Sequence, residues 1–195
     1  ANYLRCLSWA MDAERTAAVK LGVAGHNLFD IAYAWLLAGE RGVRADIEFE
    51  MLLGMAQGQI DAVAEDVGEV LLYTPVVHPD HFDAAISYLV RRLQENASPE
   101  NFLSAAFALA ENPAMFERER ARFLASVQRM DDPDLGRGAR RAQRRGAAQA
   151  HGAAQSGDAA PPGEPPTTRP RAPEGPAGEQ LTQRVLGIAR GAAAD

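Results

Sequence analysis

A single cysteine, Cys6, stands among 195 residues, so no disulfide can form within the chain and a reducing compartment is the simplest setting. Lysine is equally scarce, with Lys20 alone. Nowhere do eighteen apolar residues run together, and Ala1-Asn-Tyr-Leu-Arg5 has no charged stretch leading into a hydrophobic one. Neither a membrane-spanning helix nor a signal peptide is expected, and cytoplasm is the expected location. A glycine-rich phosphate loop is also missing, which speaks against a phosphate-binding barrel. Basic residues form no stripe: residues 1–130 carry 11 basic side chains against 18 acidic ones, and the chain's net charge is −6. Such an acidic surface makes a nucleic-acid partner unexpected. Aromatic residues end before position 131, whereas residues 131–195 hold 8 of the 12 prolines and 10 of the 17 glycines. Without large apolar side chains, 131–195 reads as a low-complexity Ala/Gly/Pro/Arg-rich tail, disordered except for one short helix over 180–189. The folded unit is expected within 1–130.

That unit alternates strand and helix. Residues 2–20 read as an amphipathic helix with Leu4, Leu7 and Met11 on one side. Its periodicity starts at once and without a methionine, as in a piece cut from something longer. Leu21 to Gly25 is a short apolar run, consistent with a buried strand, and 28–41 returns to helical spacing before the stop signal Gly42. Ile47 to Leu52 alternates as a strand, 59–67 is helical, and 69–77 is another strand. A further helix starts near Asp80, and Ser98-Pro99 opens one more, with Ser98 as candidate cap. Three strands alternating with helices of this length predict βα units and a parallel sheet, whose sites gather at the carboxyl ends of the strands. The candidate polar residues fall there. His26 and Asn27 follow the first strand, Leu52 ends the second, Tyr73 lies late in the third, and Arg91 and Arg92 come on the next helix.

Tyr88, Arg91, Arg92 and Glu95 stand at helical spacings of three, four and seven, so one side of the helix can present all four. A guanidinium fork donates two parallel hydrogen bonds to a carboxylate, a neighbouring acid fixes the fork, and an aromatic face packs over it. Adjacent arginines followed by an acid are also the ordinary dress of a solvated helix face.

Four segments resemble the proline dehydrogenase family, and most closely the proline dehydrogenase module of bifunctional proline utilisation flavoproteins. They are Gly22-Val-Ala-Gly-His-Asn-Leu-Phe-Asp30, Phe49-Glu-Met-Leu-Leu-Gly-Met55, Leu72-Tyr-Thr-Pro-Val76 and Tyr88-x-x-Arg-Arg-Leu-x-Glu-Asn96, in the family's order within residues 1–130. The resemblance implies a distorted (βα)8 barrel, of which about the last three βα units are represented. It also implies FAD at the strand ends, oxidation of L-proline to pyrroline-5-carboxylate, and electrons passed to a quinone, with the whole protein at the inner face of the membrane. By the same resemblance Arg91 and Arg92 hold the substrate carboxylate, Glu95 orients them, Tyr73 and Tyr88 pack around the ring, and Leu52 adds an apolar wall. Gly25 and His26 correspond to the flavin-contacting pair, with Asn27 a weaker candidate. Many members have threonine where Gly25 stands, so only a backbone contact carries over there. The family's active-site lysine, aspartate and flavin-contacting arginine belong to strands that precede Ala1, so these residues by themselves are expected to bind no FAD.

Other features have blander readings. His78 and His81, beside Asp80 and Asp83, could be written as a metal cluster, but at a helix start Asp80 reads better as a cap, and no metal is expected. Cys6, next to Leu7, reads as a buried small apolar residue, and Phe102, Phe107 and Leu109 as core. The tail is either a linker towards a second, aldehyde dehydrogenase domain or the product of a shifted reading frame. A non-catalytic α/β segment acting through its Arg-rich tail is the alternative function.

Overall fold

The computed structural model describes residues 1–106, 108–133, 135 and 176–194. Helices dominate a mixed α/β fold. In chain order they and the strands are α1 (Asn2–Ala10), α2 (Ala13–Thr16), β1 (Leu21–Ala24), α3 (Leu28–Arg41), β2 (Ile47–Leu52), α4 (Gln57–Val67), β3 (Val70–Tyr73), α5 (Phe82–Asn96), α6 (Leu103–Ala106), α7 (Pro113–Gln128) and α8 (Pro176–Ala194). The strands form one parallel sheet in the order β1-β2-β3, with Ala24 beside Glu50 and Leu52 beside Tyr73. All three therefore end at one edge.

Strand β2 shows why the sheet has two unlike faces. Side chains alternate along a strand, so Ile47, Phe49 and Met51 are buried while Glu48 and Glu50 between them are only half-buried. On the buried side lies α3, with the Trp35 and Phe49 rings edge to face at 6.2 Å. Gly22, Ala24 and Leu71 leave the opposite face open to solvent. Helix α3 is apolar almost all round, as a helix covered on several sides must be. Asn27 caps its start by accepting from Phe29 N–H at 3.1 Å, and Gly42 ends it in the left-handed conformation at φ 70°. The ring of Phe29 sits among Phe102, Phe116 and Phe123 at centroid distances of 6.2, 5.5 and 5.7 Å, uniting α3, the segment before α6, and α7.

Several local expectations need correction. The helix read over 2–20 breaks at Met11, because Asp12 starts a new turn by accepting from Glu14 N–H. Cys6 is exposed, since the buried stripe of α1 is Leu4, Leu7, Ser8 and Met11 and Cys6 projects outside it. The third strand stops at Tyr73, short of 77. At the turn over Pro79–His81 the capping side chain is His78, which accepts from Asp80 N–H at 3.4 Å. Ser98 opens no helix: its hydroxyl donates to Glu100, and Asn101 performs the capping for α6 at 3.0 Å to Leu103 N–H. The core roles of Phe102 and Leu109 hold, whereas Phe107 lies outside the described residues.

Two helices were not foreseen in this form. α7 opens on Asn112, which accepts from Ala114 and Met115 N–H, with Pro113 at its first position. α8 extends the short helix read over 180–189 to 19 residues, and Val185, Leu186 and Ala189 are buried with it against α3. Arg190 stacks on Phe116 at 4.8 Å, and Arg184 lies 3.8 Å from Glu40. Of the tail read over 131–195, residues 134, 136–175 and 195 lie outside the described residues, and the helix starts at Pro176, inside the stretch read as disordered. Because Phe29 joins three other rings, Phe29→Ala is expected to lower stability by about 3–5 kcal/mol in urea denaturation, more than any single exposed substitution.

Candidate active site

The shared carboxyl edge of β1, β2 and β3 gathers most of the residues marked in the sequence. Strand β1 ends at Ala24, and Gly25 N–H continues the ladder to Glu50 C=O at 3.1 Å. The next rung is made by a side chain: Leu52 N–H donates to His26 Nε2 at 2.9 Å. That bond requires an unprotonated Nε2, so the neutral ring carries its proton on Nδ1. Nδ1 is buried and has no partner among the described residues. Burial alone pushes the His26 pKa below its ordinary value, in keeping with a neutral ring. His26 thus keeps one buried donor unpaired among the described residues. Gly25 has a φ of 157°, which L side chains rarely adopt, and nothing stands within 4 Å of where its Cβ would be. Asn27 is committed to capping α3.

On the β3 side, Tyr73 is half-buried, and its pKa is raised chiefly by burial, then by Tyr88, with Arg92 opposing and Glu50 adding. Tyr88, Arg92 and Glu50 are therefore each within electrostatic reach of Tyr73. Arg92 lies over the Tyr88 ring at 5.5 Å and bonds both Glu95 oxygens, Oε1 at 2.9 Å and Oε2 at 2.8 Å. Both partners of that bridge are more than a third exposed, so its contribution to stability is small, about 0–1 kcal/mol. Its effect is on geometry: it fixes one edge of the guanidinium, while Arg92 Nε stays buried without a partner. Arg91 is exposed and has no ion-pair partner among the described residues. Leu52 is 3% exposed at the strand end. One guanidinium is oriented and the other is free, an arrangement suited to a carboxylate.

A network not foreseen in the sequence ties this edge together. Asn96 Nδ2 donates to Met55 Sδ at 2.8 Å, and Asn101 Nδ2 donates to Asn96 Oδ1 at 3.2 Å. The end of the arginine helix is thereby held to the loop after β2. Asn96 closes the last motif, but nothing in its spacing points to Met55. Among the described residues no group of three or more His, Cys, Asp or Glu could hold a metal, and no helix is long and apolar enough to cross a membrane.

A family model described as proline dehydrogenase matches residues 1–105. Among solved structures, proline utilization A from Corynebacterium freiburgense is similar at 43% identity with a TM-score of 0.51, over 66% of this chain and 11% of that one. The chain thus spans a small part of that relative's length. No match was found among curated proteins.

The depressed pKa of His26 has a definite sign for stability. The ring is held neutral in the fold, so its contribution is present above the unfolded value near 6.5 and is lost as pH falls through the lower folded value. Asp30, whose pKa burial raises to about 6, acts in the opposite direction over the same range. The comparison is therefore made against His26→Gln, which keeps an acceptor for Leu52 N–H. Urea titrations at pH 7.5 and pH 5 are expected to show a smaller acid loss of stability in the variant than in the unsubstituted chain. An equal loss in both would remove His26 from the acid response.

Proposed function

The chain belongs to the proline dehydrogenase family, and from that premise we propose that it forms part of the catalytic barrel of an FAD-dependent enzyme oxidising L-proline to pyrroline-5-carboxylate. What supports the reading is that His26 bonds Leu52 at the end of β2, Leu52 is in register with Tyr73, and Tyr88 and Arg92 lie within electrostatic reach of Tyr73. In this proposal residues 1–130 contribute about the last three βα units of a (βα)8 barrel. The 131–195 segment follows it, and the remaining strands come from the larger protein of which this chain represents a part. The open sheet face and the exposed apolar residues of α5, Phe82, Ile86, Val90 and Leu93, are consistent with further structure against them.

The residues present fit a flavin in one respect that can be tested against the geometry. His26 Nδ1–H is a buried donor without a partner, and a flavin ring offers nitrogen and oxygen acceptors. Gly25 leaves backbone room beside it, and Asn27, already a helix cap, has less to offer. Bound FAD supplies a two-electron acceptor at the strand ends. This chain's residues do the rest. Arg91 and Arg92 bind the substrate carboxylate, and Glu95 holds Arg92 in place for it. Tyr73, Tyr88 and Leu52 enclose the ring and exclude water, so that the carbon beside nitrogen is held in a fixed attitude. Electrons leave to a quinone, with the complete protein in the cytoplasm at the inner face of the membrane.

In the flavin-loaded complete protein, Arg91→Met and Arg92→Met are each expected to weaken L-proline binding by about ten- to a hundredfold, because a charge-assisted hydrogen bond is worth roughly 1.5–3 kcal/mol. The flavin spectrum should not change. Unaltered proline affinity in both variants would take the arginine pair out of the site. The 195-residue chain alone is expected to purify without flavin absorbance, and stoichiometric FAD in it would overturn the assignment of other flavin contacts to the rest of the barrel.

A further inference from the structure

We propose that Asn96 is a positioning residue for the substrate's carboxylate clamp: it fixes the end of the arginine helix against the loop after β2 and so sets where the arginines stand relative to the flavin edge. The inference rests on the proline-binding reading above and adds a residue to it. Its basis is the way α5 is attached. Only Ala85 of this helix is buried, and the contacts of Arg92 with Glu95 and with the Tyr88 ring lie within the helix. Among the described residues, the side-chain hydrogen bond that joins α5 to the loops at the sheet's carboxyl edge runs from Asn96 Nδ2 to Met55 Sδ at 2.8 Å.

Both ends of that bond are anchored. Asn96 Oδ1 accepts from Asn101 Nδ2 at 3.2 Å, and Asn101 Oδ1 accepts from Leu103 N–H at 3.0 Å, beside the buried side chains of Phe102 and Leu103. Arg122 of α7 holds the same turn by donating to Glu100 C=O at 2.9 Å, and Glu119 holds Arg122 at 3.0 Å. On the other side, Met55 packs against the core, and its N–H lies 3.4 Å from Leu52 C=O. Leu52 is the residue whose N–H meets His26. A continuous run of contacts therefore leads from His26 through Leu52, Met55 and Asn96 to α5. The loop is also strained: Ala56, next to Met55, is left-handed at φ 50°, a conformation that an alanine keeps where its surroundings impose it.

A thioether is a weak acceptor, so the Asn96 bond adds little to stability. Its effect is on placement. Arg92 stands one turn before Asn96 on the same side of the helix, about 6 Å along the axis at 1.5 Å per residue. The exposed stripe of Phe82, Ile86, Val90 and Leu93 is turned roughly 100° from that row, so structure packed on it restrains α5 from another side. A swing of the helix at Asn96 carries the guanidinium groups with it, and a displacement on the order of 1 Å spoils a two-pronged contact to a carboxylate.

The test is steady-state kinetics on the flavin-loaded complete protein, with flavin content and thermal midpoint measured alongside. Asn96→Leu is expected to raise KM for L-proline about five- to tenfold, with kcat within about twofold and full flavin content. Met55→Leu, which keeps the apolar volume and removes the sulfur, is expected to do the same and can be read even where Asn96→Leu folds poorly. The double variant should be no worse than either single one, because both remove the same bond. In an Arg92→Met background, Asn96→Leu should add less than about twofold, since the clamp it positions is already broken. An unchanged KM in both single variants would overturn the role. So would losses that add in the double variant, that appear as missing flavin, or that persist in full beside Arg92→Met. Arg91→Met and Arg92→Met separate this inference from the reading beneath it. If both leave proline affinity unaltered, the clamp falls and Asn96 with it; if either weakens proline while Asn96→Leu and Met55→Leu do not, the clamp stands and the Asn96 role alone falls.

Discussion

The bond from Leu52 N–H to His26 Nε2 is the contact on which the rest of the site depends. Strand β1 is short, and beyond Gly25 it has no carbonyl to offer the end of β2. The imidazole takes the place of that carbonyl and closes the ladder with a side chain. Three consequences follow from one hydrogen bond. The end of β2 is held in register, the ring cannot protonate at Nε2 without losing its partner, and the remaining N–H is left buried and unpaired among the described residues. A buried donor with no partner is costly in a finished core. It lies at the same sheet edge as Tyr73, near which Tyr88 and Arg92 also stand.

The arginine helix obeys a different logic. α5 buries only Ala85 and exposes Phe82, Ile86, Val90 and Leu93, so hydrophobic packing within this chain holds it weakly. A polar contact at its end, Asn96 to Met55, ties it to the loop after β2, whereas the contacts of Arg92 with Glu95 and Tyr88 lie within the helix. An apolar stripe left open beside a polar cluster is consistent with further structure packing against it. The chain's match to 11% of proline utilization A agrees with that picture.

Much of this was legible in the sequence, and the parts that were not have physical reasons. The alternation of Ile47 to Leu52 marked a strand whose two faces differ, and the strand ends named His26, Leu52 and Tyr73 before any coordinates. Gly42 ended α3 as its stop signal required, whereas Asn27, marked only as a weaker flavin contact, turned out to be its cap. The failures lie where local signals compete. Asp80 and Ser98 are good caps in isolation, but His78 and Asn101 were placed by the chain to do that work. Cys6 was misjudged because its neighbour Leu7 is buried, although a single step along a helix turns a side chain by about 100°. α8 is rich in Ala, Gly and Arg and has no aromatic residue; its burial of Val185, Leu186 and Ala189 depends on the matching face of α3, which its own composition does not reveal. The Asn96 to Met55 contact joins residues 41 apart and has no local signature at all.

Under the proposed function these residues form one carboxylate-binding edge beside a flavin. The most direct measurement is a crystal structure of the flavin-loaded complete protein with a non-reactive cyclic carboxylic acid. The account predicts carboxylate oxygens within about 3 Å of both Arg91 and Arg92, and His26 Nδ1 donating to an atom of the flavin ring. A carboxylate bound away from α5, or a flavin with His26 Nδ1 still unpaired, would contradict it.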